Sequence, residues 1–133
     1  MIKILLVEDN TLVREGIAEL LGEQDDMEVI GNTDNGIKAL LLLEQGLRPD
    51  ILLADMNMPE MDGITLTRQI IMRNLSMVKI IILTMHLNQQ FAERAFEAGA
   101  KGYLLKNGDF EELYQAIRLV QQNQTYMSAG VLT

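Results

Sequence analysis

Asp55 ends the apolar run Ile51-Leu52-Leu53-Ala54 and is followed by Met56-Asn57-Met58-Pro59, a turn that proline enforces. A carboxylate in that position can act as a nucleophile toward phosphorus and form an acyl phosphate. Three other apolar runs stop at chemically useful residues: residues 2–7 at Glu8 and Asp9, residues 78–83 at Thr84, and residues 102–105 at Lys106. Three carboxylates brought to one place repel one another unless a cation neutralises them. An all-oxygen donor set suits a hard divalent ion, Mg2+ (or Mn2+), held by a few carboxylates and water. That ion and Lys106 would balance the charge on the oxygens of a transferred phosphoryl group, with the Thr84 hydroxyl alongside. Singly, each residue has an ordinary role. Asp55 is then a turn or cap residue, Glu8-Asp9 a capping pair favoured by a helix dipole, Lys106 a solvated charge and Thr84 a loop hydroxyl. Their convergence on one edge is what favours chemistry.

Convergence requires the runs to be neighbouring strands of one sheet. None of them alternates, and short unalternating runs read as strands buried on both faces. The expected strands cover residues 2–7, 27–30, 51–55, 78–83 and 102–105, the second ended by Gly31. Helices are expected between them, near 12–21, 37–45, 61–73 and 87–98, with a last one over 109–122. Asn10 or Asp9 can cap the first, which carries Leu12, Val13, Ile17, Leu20 and Leu21 at helical spacing; Phe91, Ala95 and Ala98 share one side of the fourth. Gly16 inside the first helix costs about 1 kcal/mol relative to alanine, which close approach of another helix would explain. Leu40 to Leu43 read as packing, Met56, Met58 and Met61 as an adaptable apolar rim, and His86 as lining the loop after Thr84.

Five strand–helix units with short turns imply an α/β fold, a doubly wound parallel sheet with helices on both faces. In such a sheet the first, third, fourth and fifth strands lie side by side, and their carboxyl ends meet in one shallow pocket. Residues 1–122 are expected to form the domain. Residues 123–133 are expected to be a polar tail or the start of a linker.

Composition bounds the partners. The 133 residues suffice for one core, and 48% hydrophobic with 23% charged residues is a globular balance. A net charge of −8 opposes binding of nucleic acid or anionic membrane by this stretch itself. Cysteine is absent, which excludes disulfides and thiolate metal sites and fits a reducing, cytoplasmic setting. The amino terminus carries no signal-peptide pattern, and the apolar runs are too short to span a bilayer.

Val7-Glu8-Asp9-Asn10, the Asp55 to Gly63 block Asp-Met-Asn-Met-Pro-x-Met-Asp-Gly, Leu83-Thr84, and Ala98-Gly99-Ala100-Lys101-Gly102-Tyr103-Leu104-Leu105-Lys106 occur in that order. Together they resemble the receiver domain of two-component response regulators, over roughly residues 1–122. Gly102 to Asn107, without the proline common after the lysine, resembles the subfamily with a helix-turn-helix DNA-binding output domain. The resemblance implies a flavodoxin-like (βα)5 three-layer sandwich with strand order 2-1-3-4-5. It also implies that Asp55 is the phosphoacceptor, served by a sensor histidine kinase. Asp9 would be a direct metal ligand, Glu8 would act mainly through water, and the Asn57 backbone carbonyl would complete the metal site. Thr84 would contact the phosphoryl oxygen, Lys106 would neutralise it, and Tyr103 would change rotamer with Thr84. Glu8 stands where aspartate is frequent, and Asn107 where proline is.

The resemblance further implies a phosphorylation-activated switch rather than an enzyme proper, one that catalyses its own phosphoryl transfer and slow dephosphorylation. DNA would be reached only through a carboxyl-terminal domain. Homodimerisation on phosphorylation has two candidate surfaces. One is the face of the fourth helix, fifth strand and fifth helix, with Phe91, Arg94, Lys101, Tyr103 and Arg118. The other is the pair of first and fifth helices. Two rivals use the same residues. An aspartyl-phosphate phosphatase would want a carboxylate two residues after its nucleophile, where this chain has Asn57. A binding module that no longer accepts phosphate would not need the complete residue set.

Overall fold

The computed structural model describes residues 1–75, 77–106 and 109–128. In chain order the elements are β1 (Ile2–Val7), α1 (Thr11–Gly22), β2 (Met27–Thr33), α2 (Gly36–Glu44), β3 (Ile51–Asp55), α3 (Gly63–Met72), β4 (Lys79–Thr84), α4 (Gln89–Ala98), β5 (Gly102–Leu105), α5 (Phe110–Gln121) and β6 (Tyr126–Met127). The strands form one sheet in the order β2-β1-β3-β4-β5-β6. Every pairing is parallel.

The strands bury both faces because alternate residues serve opposite layers. Leu5, Val7, Leu52, Ala54, Ile80 and Ile82 pack with Ala39, Leu43, Leu66, Ile70, Ala92 and Ala95 from α2, α3 and α4. Ile4, Leu6, Ile51, Leu53, Ile81 and Leu83 pack with Ile17, Leu21, Leu113, Ile117 and Val120 from α1 and α5. The result is the expected doubly wound three-layer sandwich. Each helix begins at a short polar residue whose side chain accepts a backbone N–H: Asn10 from Val13, Asn35 from Lys38, Asp62 from Thr65, Asn88 from Phe91 and Asp109 from Glu111. Gly99, at φ 116°, ends α4 in the left-handed conformation.

Several details differ from expectation. Strand β2 does not stop at Gly31 but continues to Thr33, paired with Val7. A β-carbon at Gly31 would stand 3.3 Å from a Leu5 methyl and 3.4 Å from a Leu47 methyl, a close fit inside the sheet. Leu12, Leu41 and Phe91 are exposed, so helical spacing overstated the buried stripe, and the inward side of α4 is Ala92 and Ala95. Met56 and Met58 are core residues rather than rim, while Met61 is half-buried and lies over Gly36, leaving no room there for a side chain. No helix approaches Gly16; the space where its β-carbon would stand is open. Residues 126–127, expected in a polar tail, are the sixth strand. Asn107 and residues 129–133 lie outside the described residues.

A β-carbon at Gly63, the first residue of α3, would lie 2.8 Å from the Asp55 carbonyl oxygen and 3.3 Å from the Met56 α-carbon. Backbone cannot swing aside as a side chain can. Gly63→Ala should therefore destabilise the chain by about 1–3 kcal/mol, as overpacking does. Gly16→Ala, in open space within a helix, should stabilise it by up to about 1 kcal/mol. Urea unfolding of both variants should show midpoints moving in opposite directions.

Candidate phosphoacceptor and metal site

The parallel register aligns the strand ends. Val7 is opposite Ala54, Asp55 opposite Leu83, and Thr84 opposite Leu105. Glu8, Asp9, Asp55, Thr84 and Lys106 thus emerge from one edge of the sheet. Glu8, Asp9, Asp55 and Lys106 come together there, while Thr84 shares the edge but bonds elsewhere.

Lys106 carries its ammonium between two carboxylates, 2.5 Å from Glu8 and 3.2 Å from Asp55, with 9% of its side chain exposed. Glu8 is 1% exposed and Asp55 4%. The Glu8, Asp9 and Asp55 carboxylate oxygens lie within 4.8 Å of one another, and Asp9 is the solvent-facing member. The β1–α1 turn is fixed by the Asn10 N–H, which donates to Glu8 Oε2 at 3.0 Å, and by Arg14, whose guanidinium donates to the Glu8 carbonyl at 2.8 Å. The Asn57 N–H donates to Asp55 Oδ1 at 3.3 Å, so the loop after β3 folds back over its own carboxylate.

Burial is the largest influence on both inner acids. It raises Glu8 from 4.5 to about 7 and raises Asp55 above its ordinary 3.8, in each case against the pull of Lys106. Lys106 is itself raised by its two carboxylate partners, more than burial lowers it. The group therefore holds more negative charge than one ammonium can balance. A hard divalent cation fits this all-oxygen, carboxylate-rich cluster with one solvent-facing side at Asp9.

Thr84 is buried, and its hydroxyl donates to the His86 carbonyl at 3.1 Å rather than to the acids. His86 is exposed beside it. Tyr103 is fully buried with its ring turned in. Its phenol lies beside Thr84 and the Asn88 backbone, whose dipoles ease ionisation slightly. No well-formed hydrogen bond reaches the oxygen, and burial raises its pKa. Of the expected surface residues, Tyr103 is interior, while Arg118 stays at the surface, paired with Asp26 (2.8 Å) and Gln24 (2.9 Å). Phe91 and Arg94 remain together outside, the guanidinium 5.7 Å from the ring centre.

Sequence reasoning missed Arg14, Glu112 and Ser128. Arg14 holds the turn after β1. Glu112 and Ser128 bind each other and the end of β5. Nothing in their spacing marks them, although a β-prone Tyr-Met pair after the helix stop is a weak signal for the sixth strand.

Fold and site define an acidic pocket at the carboxyl edge of a doubly wound parallel sheet. Residues 4–118 match the response regulator receiver domain, and the chain belongs to that family. It is 38% identical over 131 residues to the response regulator GacA of Pseudomonas aeruginosa, spanning 98% of this chain and 60% of that protein. It is 40% identical over 131 residues to the transcriptional regulatory protein LiaR of Bacillus subtilis, spanning 98% and 61%. The chain thus spans about three-fifths of the length of these relatives. A LuxR-family two-component response regulator from Aurantimonas superposes with a TM-score of 0.91 at 35% identity, covering 98% of this chain and 91% of that one. The isolated receiver domain of RcsB from Salmonella enterica, solved with the phosphomimetic BeF3-, superposes with a TM-score of 0.87 at 25% identity, covering 98% and 96%.

The raised acids fix the sign of a pH dependence. A carboxyl group with a higher pKa folded than unfolded takes up protons on folding, so its stabilising effect is full in acid and lost as pH rises. For Glu8 that window runs from about 4.5 to about 7. Asp26 and Asp34 are lowered by Arg118 and Lys38, and their effect falls below 3.8, outside the window. The metal-free chain should therefore unfold at a lower urea concentration at pH 7.5 than at pH 5, and Glu8→Gln should flatten that difference. Added Mg2+ should raise the midpoint more at pH 7.5, where the acids are ionised. A parent midpoint that rises between pH 5 and 7.5 without metal would contradict the assignment.

Proposed function

We propose that this chain is the phosphorylation-controlled switch of a signalling protein, accepting a phosphoryl group on Asp55 from a sensor histidine kinase in a Mg2+-dependent reaction. The observation that carries the reading is the buried Glu8–Lys106–Asp55 arrangement with Asp9 at its mouth. Glu8, Asp9, Asp55 and the Asn57 carbonyl would hold the ion, Glu8 through water. When bound, the ion neutralises charge on the phosphoryl oxygens.

The residues of the chain do the rest. An Asp55 oxygen forms the new bond to phosphorus while the donor's bond to phosphorus breaks, its electron pair leaving with the donor. Lys106 releases Asp55 and turns its ammonium to the incoming oxygens, still tethered by Glu8. Thr84 exchanges its His86 carbonyl for a phosphoryl oxygen. With Tyr103 already inward beside it, that exchange ties the acceptor to the β4–α4 loop. Phosphorylation shifts the population only by what it adds to one state over the other.

The output would be transcriptional and cytoplasmic, through a helix-turn-helix domain as in longer regulators, with dimerisation on phosphorylation. The burial of Tyr103 leaves Phe91, Arg94, Lys101 and Arg118, the last paired with Asp26, on the first candidate surface. A phosphatase reading is weaker, because position 57 offers an amide and not a second acid. Acetyl phosphate with Mg2+ should label the parent chain on Asp55. Asp55→Asn and chelation should each abolish the label, whereas Thr84→Ala should keep it but weaken phosphorylation-dependent dimerisation in sizing experiments. Undiminished labelling of Asp55→Asn would end the proposal.

A further inference from the structure

Strand β5 has four residues, and its last peptide leads directly into Lys106. On the inner side the Lys106 N–H donates to the Thr84 carbonyl at 2.5 Å. On the outer side the neighbour is β6, whose ladder ends with Tyr103 opposite Met127. The Leu105 N–H therefore has no strand carbonyl to meet. It donates to the Ser128 hydroxyl at 3.2 Å, while the Ser128 N–H donates to the Tyr103 carbonyl at 3.0 Å.

The Ser128 hydroxyl spends its own proton on Glu112 Oε1 at 3.0 Å, and Glu112 Oε2 accepts the Tyr126 phenol at 3.0 Å. A carboxylate from the first turn of α5 thus holds two hydroxyls of the terminal segment, and one of them holds the peptide before the site lysine. Ser128 is 3% exposed. A hydroxyl is buried that deeply without penalty only when its hydrogen bonds are made.

We propose that Ser128 and Glu112 are positioning residues for Lys106. Lysine carries a compact charge on a flexible four-carbon stem, so where its ammonium can reach depends on where its backbone is fixed. The Lys106 backbone is clamped from both edges of β5, by Thr84 on one side and by Ser128 through Leu105 on the other. The ammonium must leave Asp55 for the phosphoryl oxygens without losing register with Glu8, and a frayed strand end would blur both positions. The inference rests on the reading of Lys106 as the phosphoryl partner.

Two measurements test it. In the metal-free chain, hydrogen exchange of the Leu105 and Lys106 amides should quicken at least tenfold in Ser128→Ala, with the β3 amides unchanged. Acetyl phosphate labelling of Asp55 should slow about fivefold or more in Ser128→Ala at a temperature where it remains folded, with Mg2+ affinity within twofold of the parent. Ser128→Thr, which keeps the hydroxyl, should restore both. A structural defect would slow labelling in any background, whereas a positioning effect must disappear in Lys106→Ala. Parent-like exchange or labelling in Ser128→Ala, or an equal slowing in the Lys106→Ala background, would overturn the inference. A parent chain that takes no label would instead refute the phosphoacceptor reading and the inference with it.

Discussion

One ammonium between two buried carboxylates sets the conditions for everything around it. Lys106 is close to both Glu8 and Asp55, and burial works against the ionised form of each acid. Charges so placed are tolerated only when paired, and here two acids compete for one partner while Asp9 adds a third charge at the mouth. The pocket is therefore short of positive charge by design of its residues. A divalent cation would relieve that imbalance.

Holding that imbalance requires a rigid frame. The parallel register fixes how far each strand end projects, and the two hydrophobic layers leave no slack to change it. The loop after β3 is packed rather than merely connected: Met56 and Met58 are in the core, and Gly63 passes so close to the Asp55 carbonyl that only hydrogen fits. The methionines thus anchor the loop after Asp55 instead of presenting a soft surface. On the other edge, β6 supplies to β5 the neighbour that a four-residue edge strand would lack.

The surface charge follows the same economy. Arg118, Arg73 and Lys38 are each matched to a nearby acid, namely Asp26, Glu44 and Asp34. Such exposed pairs contribute little stability, and acids still outnumber bases to give the net charge of −8. Such a charge balance opposes nucleic-acid binding by this stretch. Arg94 over the exposed Phe91 ring stands out as a cationic and aromatic spot beside the β4–α4 loop.

The sequence by itself determined the parallel sheet and its acidic edge, while the order of the first five strands came from the family resemblance and β6 went unread. Unalternating aliphatic runs can be stable only between two layers, and right-handed crossovers leave few ways to arrange five of them. It also determined which residues share that edge, because Glu8, Asp9, Asp55, Thr84 and Lys106 each end a strand or come just after one. What it could not determine depended on contacts between residues far apart in the chain. Helical spacing cannot say that Leu12 and Phe91 face outward, since the width of a buried stripe is set by the neighbouring element. Gly31 read as a stop, yet it is a strand residue pressed by Leu5 and Leu47. Ser128 read as tail, yet it is buried against Glu112 and Leu105. Local pattern records which surface a segment must hide, and only tertiary structure decides which distant partner hides it.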